Sequence, residues 1–353
     1  MQHSVLETDI LAMVLAGCDR GRSVDRREFF AALAGASLVW PKVLQAQQGR
    51  KLARIGLLTV GSTTAEMTGP EPQSTVIRSF LGGMRALGYV YGTDFITEPR
   101  GGAGMPERYP QLVAELVALP VDVIVATGPM LSLLKRATTT IPIVMSHGED
   151  PLGEGLIETL GRPGGNFTGL NGQLAELNGK RLELLREFAP GNGPLAVVWD
   201  QLSASAWHIA EGAGRQRKWT MLPLEIKDAT DIEPAFKTAV DARADGVLVT
   251  ASAHLFARGA YVAELSARSQ LPTIYQLRAF VDAGGLMSYG PSLIDTWRHA
   301  AIYVDRILKG ERPAELPVEQ LNRLELVINL KAAKALNRIV PPSLLIQATE
   351  LLE

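Results

Sequence analysis

Residues 274–292 read I-Y-Q-L-R-A-F-V-D-A-G-G-L-M-S-Y-G-P-S. The segment combines two short apolar strands, which end near Tyr275 and Tyr289, with a connection that contains an Ala-Gly-Gly break. Two such strands joined by a short helical connection are typical of a βαβ unit in a parallel sheet. The unit would bring Arg278 and Ser288 to the carboxyl-end edge of that sheet, where open α/β sheets bind ligands.

Arg278 has two interpretations. If it lies in a cleft, its planar guanidinium can bind a ligand carboxylate through two hydrogen bonds, beside an aromatic side chain. If it lies on the surface, it forms a salt bridge with Asp282 or Glu264 and the two tyrosines are simply half-buried. The residues of this segment leave both interpretations open.

The same alternation of strands and helices extends in both directions. Nearly continuous runs of Val, Ile and Leu predict buried strands at residues 53–60, 121–126, 141–145 and 246–250. Helical periodicity lies between these runs, which predicts parallel sheets covered on both faces. Two βα series of similar size indicate two similar doubly wound parallel-sheet lobes of an α/β protein.

Composition excludes several classes of protein. Of the 353 residues, 46% are hydrophobic and 20% charged, as in globular proteins. The 35 basic and 37 acidic residues leave no excess of positive charge, so we expect no nucleic-acid partner. The single cysteine and five scattered histidines show no ligand spacing, so we expect no metal and no cofactor.

The first 46 residues predict an export leader. Arg26 and Arg27 precede an apolar run of small residues at 31–40, and Ala46 follows at a suitable distance for cleavage. Paired arginines before a short apolar run are typical of a twin-arginine export signal. Acidic residues precede the pair, so the true start of translation could lie near Val24, which would remove Cys18 from the protein.

The predicted strand ends carry Ser, Thr and Tyr hydroxyls, Asp carboxylates and turns that present backbone amides. They do not carry a catalytic motif. No glycine fingerprint for dinucleotides, no nucleophile elbow and no phosphate-binding loop is present in the sequence. We therefore expect no catalytic residues. The predicted ligand-binding residues are Ser62, Thr127, Gly128, Ser146, Asp150, Asp200, Ser252, Tyr275, Arg278 and Tyr289.

The loop that contains His147 and Asp150 has an enzymatic alternative. Either residue could act as a general base. No nucleophile is tied to them by spacing, and Asp150 before Pro151 could equally cap a helix over residues 153–160.

Several motifs in order resemble the ABC transporter substrate-binding proteins of the type I periplasmic-binding fold. They include R-I-G-L-L-T-V-G-S at 54–62, P-V-D-V-I-V-A-T-G at 120–128, R-P-G-G-N-F-T-G-L at 162–170 and L-E-L-V-I-N-L-K-A-A-K-A-L at 324–336. The resemblance runs from about residue 51 to the C-terminus. It implies two lobes joined by three crossings, which map onto residues 167–171, 286–290 and 322–326. Lobe one would then comprise residues 51–167 and 290–322, and lobe two residues 171–286 and 324–353.

The resemblance also implies a function. The chain would be a monomeric periplasmic receptor that captures a small polar or carboxylate-bearing, amino-acid-like ligand between its lobes and delivers it to an inner-membrane ABC permease. His147 departs from the family pattern and adds a titratable group near the expected cleft. An α/β enzyme that uses His147 or Asp150, or a ligand-sensing module for a signalling partner, is the alternative.

Overall fold

The structure is a computed structural model that describes residues 52–148, 150–172, 175–250, 252–321 and 323–353. The predicted leader at residues 1–46 lies outside these residues. The described strands are β1 (Ala53–Thr59), β2 (Phe95–Gly101), β3 (Val123–Thr127), β4 (Ile143–Gly148), β5 (Phe167–Asn171), β6 (Leu195–Trp199), β7 (Met221–Glu225), β8 (Gly246–Val249), β9 (Thr273–Tyr275), β10 (Met287–Pro291), β11 (Glu319–Gln320), β12 (Leu324–Asn329) and β13 (Glu350–Leu352).

Helices connect most of these strands. The described α-helices are α1 (Thr64–Met67), α2 (Thr75–Ala86), α3 (Tyr109–Val117), α4 (Met130–Ala137), α5 (Asn178–Phe188), α6 (Ala204–Gln216), α7 (Ile232–Asp241), α8 (Ala253–Ala257), α9 (Gly259–Arg268), α10 (Ala279–Asp282), α11 (Leu293–Leu308), α12 (Leu330–Ala335) and α13 (Pro342–Gln347). None of the helices in the described ranges is both long and apolar enough to cross a membrane.

The strands form two sheets, one in each lobe. The first has the order β11-β5-β4-β3-β1-β2, and all its neighbouring strands are parallel. The second has the order β13-β12-β10-β9-β8-β6-β7, in which β12 runs antiparallel to β10 and the other neighbours are parallel. The predicted α/β fold with two parallel-sheet lobes is confirmed, with β12 as the exception to parallel pairing.

Both sheets are covered on two faces. In β3, Val125 packs in one apolar cluster with Phe80 and Trp297, whereas its neighbour Ile124 packs in another with Leu134. Successive side chains of a strand point to opposite faces, so these two clusters lie on the two sides of the first sheet. This arrangement explains why the buried strands read as unbroken apolar runs.

The chain passes between the sheets close to the predicted crossings. The whole of β5 pairs in the first sheet, so the first passage follows Asn171 rather than residue 167. The whole of β10 pairs in the second sheet, so the second passage follows Pro291. The third lies between Gln320 and Leu324. The first two differences arise because the residues expected to be linkers pair as strands β5 and β10 within a sheet before the chain leaves the lobe.

The predicted helix over residues 153–160 is wrong. This segment forms turns, and Asp150 Oδ1 accepts a hydrogen bond of 2.9 Å from the Gly153 backbone N–H. Gly155 adopts a left-handed φ of +63°, which glycine tolerates and which interrupts a right-handed helix. The capping role of Asp150 therefore applies to a turn.

Candidate functional site

A cavity of about 470 Å³ opens between the two lobes. In lobe one it is lined by residues that follow β1 and β3 and by His147 of β4; in lobe two it is lined by residues that follow β8 and β9. These are carboxyl ends of parallel strands, where the topology of open sheets leaves a crevice. Leu293 and Trp297 of α11 complete the lobe-one wall.

The turn after β1 is fixed by hydrogen bonds between side chains. Ser62 Oγ lies 2.9 Å from Ser74 Oγ, which ties the end of β1 to the start of α2. Thr63 caps α1 and donates from its backbone N–H to Glu66 Oε2 at 2.7 Å. This hydrogen bond lowers the pKa of Glu66, so its carboxylate is ionised at neutral pH.

The start of α2 faces the cavity without a side-chain cap. Ser74 is the N-cap residue, but its hydroxyl contacts Ser62 and makes no capping bond to the helix. Ser74, Thr75 and Val76 all line the cavity. The first backbone N–H groups of a helix have no partner within the helix, and the helix dipole makes this end partly positive. This end of α2 can therefore accept an anionic group such as a carboxylate.

The ends of β3 and β4 form the floor on the lobe-one side. Gly128 has a φ of +58°, a left-handed conformation that suits glycine and turns the chain into α4. Thr127 Oγ1 lies 2.8 Å from His147 Nδ1, and both residues are buried. Burial lowers the pKa of His147 to about 4, because an imidazolium would lose its hydration. The ring is therefore neutral at physiological pH.

Lobe two contributes an apolar wall and one hydroxyl. Phe256 and Leu277 line the cavity together with Ser252, which caps α8 through a bond from the Leu255 N–H. A Cβ atom on Gly61 would lie 2.6 Å from Phe256, so the two lobes are in close contact at this point.

Phe256 is held by an aromatic stack behind it. Its ring packs edge-on against Phe280, whose ring stacks on Tyr275 with centroids 4.9 Å apart. Tyr275 is fully buried and is not part of the cavity lining in the described ranges. The predicted binding residue Tyr275 thus lies behind the cavity wall and supports Phe256 through Phe280.

The cavity combines apolar surface with little charge. Among the described residues that line the cavity, Glu66 carries a charge at neutral pH, and none is an aspartate, lysine or arginine. The described residues contain no group of three or more His, Cys, Asp or Glu that could hold a metal ion. A ligand that fits this site needs an apolar body and a polar end that helix amides and hydroxyls can bind.

The structure brings four predicted site residues together at the cavity. They are Ser62, Thr127, Gly128 and Ser252. Among the residues that the structure describes, the lining does not include the six others. These are Ser146, Asp150, Asp200, Tyr275, Arg278 and Tyr289.

Arg278 forms surface ion pairs. Its Nη2 donates to Glu350 Oε1 at 2.9 Å, and its Nε lies 3.3 Å from Asp282 Oδ1. The hydrogen bond to Glu350 is the largest cause that raises the pKa of Arg278. The salt bridge to Asp282 was one of the two interpretations of the sequence. Glu350 was not anticipated, since it is brought to α10 only by the pairing of β13 with β12.

The remaining residues have local structural roles. Ser146 donates to the carbonyl of Ala126 at 3.3 Å, and Asp200 accepts from the Ser203 N–H at 3.0 Å. Tyr289 uses its carbonyl to accept a bond from Arg181 Nε at 2.7 Å. These contacts account for Ser146 and Tyr289 without a ligand, whereas the second carboxylate oxygen of Asp200, Oδ2, is buried with no hydrogen-bond partner among the described residues. The hydrogen-bonding partner of His147 is Thr127 rather than Asp150, so the two candidate bases do not form a pair in the described contacts.

Several residues that line the cavity were not among the binding residues predicted from the sequence. Val76 and Thr75 could have been found from the helix start after Ser74. Phe256, Leu277 and Trp297 gave no local signal, because apolar residues at helical spacing are expected in a core. Trp297 reaches the cavity only because α11 returns to lobe one after the chain has formed β6 to β10 of the second sheet.

Known proteins resemble this chain over most of its length. A family model described as ABC transporter substrate binding protein matches residues 73–352. A Clostridioides difficile (strain R20291) protein named tyrosine-binding protein is 21% identical over 264 residues, which cover 74% of this chain and 76% of that protein.

Two solved structures share the fold. One is a conserved domain protein from Vibrio cholerae, with a TM-score of 0.76, 23% identity and coverage of 85% of this chain and 100% of that one. The other is an ABC domain from Streptococcus pneumonia in complex with L-Trp, with a TM-score of 0.76, 22% identity and coverage of 86% and 100%.

Proposed function

The chain belongs to the ABC transporter substrate binding protein family, and from this premise we propose that it captures an amino-acid-like ligand with an apolar side chain between its lobes. The ligand would then be delivered to an ABC permease. The observation that carries the proposal is the uncapped start of α2 at one end of a cavity whose other walls are largely apolar.

The polar end of the cavity suits a zwitterion. The α2 amides and the Ser74 and Ser62 hydroxyls can bind a carboxylate without any basic side chain. Glu66 can balance an ammonium group, and both hydrogen bonds from Thr63 end on its Oε2. A ligand with both groups leaves no uncompensated charge in the site.

The apolar walls suit the side chain of such a ligand. Phe256, Leu277 and Trp297 offer aromatic and aliphatic surface from both lobes. The names of two similar proteins, one tyrosine-binding and one in complex with L-Trp, support an aromatic amino acid. Binding would stabilise the closed arrangement, because the ligand contacts both lobes at once.

Export would place the receptor outside the cytoplasmic membrane, where such proteins work. We propose that residues 1–46 are a twin-arginine leader and that the mature protein is a periplasmic monomer. Replacing both Arg26 and Arg27 by lysine should leave precursor in the cytoplasm. Unchanged delivery of the double variant, measured by fractionation, would contradict this route.

Calorimetry with the mature protein tests the ligand class. L-Tryptophan, L-tyrosine and L-phenylalanine serve as probes, with tyramine as a control without a carboxylate and L-lysine as a control with a charged side chain. We expect binding of aromatic amino acids and weak or no binding of both controls. Mass spectrometry of the recovered probe should show it unchanged. Equal binding of tyramine, or steady conversion of a probe, would overturn the proposal.

A further inference from the structure

His147 lies at an irregularity of β4. Ala126 of β3 pairs with Met145, but the next residue, Thr127, pairs with His147, so β4 contains one extra residue at Ser146. The register against β5 shifts over the same segment, where Met145 pairs with Gly169 and Gly148 with Asn171. Such a bulge changes the face to which the following side chain points, and bulges are common beside binding sites.

The bulge brings an imidazole to the cavity. His147 lines the cavity but is only 5% exposed, so its ring faces the enclosed space rather than bulk water. Ser146, the extra residue, is fully buried and bonds the Ala126 carbonyl, which fixes the irregular backbone. The position of His147 is therefore set by the sheet and not by a loose loop.

The contact with Thr127 leaves hydrogen-bonding capacity on the ring. Thr127 Oγ1 lies 2.8 Å from Nδ1 and 3.1 Å from Nε2. The N–H and lone-pair directions of the two nitrogens diverge in the ring plane, so a single oxygen can form a well-directed hydrogen bond with only one of them. A neutral imidazole has one N–H donor and one acceptor nitrogen. Whichever tautomer is present, a ligand hydroxyl can satisfy the second nitrogen, because a hydroxyl both donates and accepts. A hydrocarbon group cannot.

The place of His147 in the sheet decides which end of the ligand it meets. The carboxylate-binding amides of α2 adjoin the end of β1 through the Ser62–Ser74 contact. In the order β1-β3-β4, the end of β4 is two strand spacings away, about 9 to 10 Å. An extended aromatic amino acid can span this distance, so a ligand held by its carboxylate at α2 would direct the far end of its side chain towards His147.

We propose that His147 is a specificity-determining residue that selects ligands whose side chain ends in a neutral hydrogen-bonding group, above all a hydroxyl. The inference rests on the proposed binding of amino acids in this cavity. It adds that a hydrocarbon side chain of the same shape is disfavoured, because it leaves a buried ring nitrogen without a partner.

The test compares L-tyrosine with L-phenylalanine, which differ by one hydroxyl. Calorimetry on the mature wild type should give an affinity for tyrosine higher by roughly tenfold to a hundredfold, the range for one unsatisfied buried group. His147→Leu should bring this ratio close to one, mainly through weaker tyrosine binding. His147→Gln, which keeps a donor and an acceptor, should retain part of the ratio.

Ser252→Ala is the matched control, since it removes a polar group from the opposite wall of the cavity. It should weaken both probes alike and leave their ratio unchanged. If His147→Leu does not fold, as judged by circular dichroism, the wild-type ratio and its partial retention in His147→Gln decide.

Three results would overturn the proposal. If the wild type binds tyrosine and phenylalanine with nearly equal affinity, no residue discriminates for the hydroxyl. If the folded His147→Leu variant keeps the full preference for tyrosine, another residue makes that discrimination. In both cases binding of the probes would leave the proposed function standing. Failure of the wild type to bind either probe would instead overturn the proposed ligand class, and this inference with it.

Discussion

The buried imidazole of His147 links protonation to stability. Its pKa is lowered to about 4, whereas an unfolded histidine titrates near 6.5. Between these values the unfolded chain binds a proton that the folded protein does not, so the free energy of unfolding falls as the pH falls from 6.5 to 4. The loss should reach about 3 kcal/mol. Urea denaturation of wild type and His147→Gln across this range checks it.

The other titratable groups contribute equally to both proteins. Their contribution therefore cancels in the difference between the free energies of unfolding of wild type and His147→Gln. Above pH 7 this difference should be constant. Parallel stability curves down to pH 4 would show that His147 titrates normally.

Arg278 differs from the buried, neutral His147, because it is a charged residue whose contacts lie at the surface. Its side chain is 36% exposed and that of Glu350 is 43% exposed, so solvent screens the pair. Arg278→Ala should lower the free energy of unfolding by less than about 1 kcal/mol and leave ligand affinity unchanged. Calorimetry with L-tyrosine measures the second quantity. A large loss of affinity would restore the interpretation of Arg278 as a ligand clamp.

At the scale of structural elements, the turn after β1 meets α8 of the other lobe where Gly61 faces Phe256. A methyl group on Gly61 would lie within 2.6 Å of the Phe256 ring, so the ring or the turn would have to move. Gly61→Ala should therefore weaken ligand binding by roughly tenfold, because it opposes approach of the lobes. Gly82→Ala, on α2 with no neighbour within 4 Å, is the control. Equal affinity of both variants would argue against this contact as part of closure.

The elements also show where reasoning from sequence succeeds. Strands such as β1 and β3 were predictable because burial on both faces requires an unbroken apolar run. The turns at 150–160 were not, because Asp150 before Pro151 caps a turn as readily as a helix. Of the site, Ser62, Thr127 and Ser252 were predictable from their places at strand ends. Phe256 and Trp297 were not, since only distant pairings bring them to the cavity.

At the scale of the whole molecule, two lobes that share one ligand should respond to it together. Addition of L-tyrosine should reduce the radius of gyration measured by solution X-ray scattering, since closure brings the lobes nearer. At a hundredfold excess of ligand over Kd, the free energy of unfolding should rise by about 2.7 kcal/mol. Stabilisation without compaction would indicate a ligand site that does not require closure.

The return of α11 and β11 to the first lobe has a consequence for biosynthesis. β4 and α2 pack against α11, which begins at Leu293, and β5 pairs with β11 at Glu319. The ribosome therefore completes β6 to β10 of the second lobe before it supplies the segments that finish the first. Until then, the apolar surface around Phe80 lacks the cover that Trp297 provides. The nascent first lobe is left with exposed surface of the kind that chaperones bind.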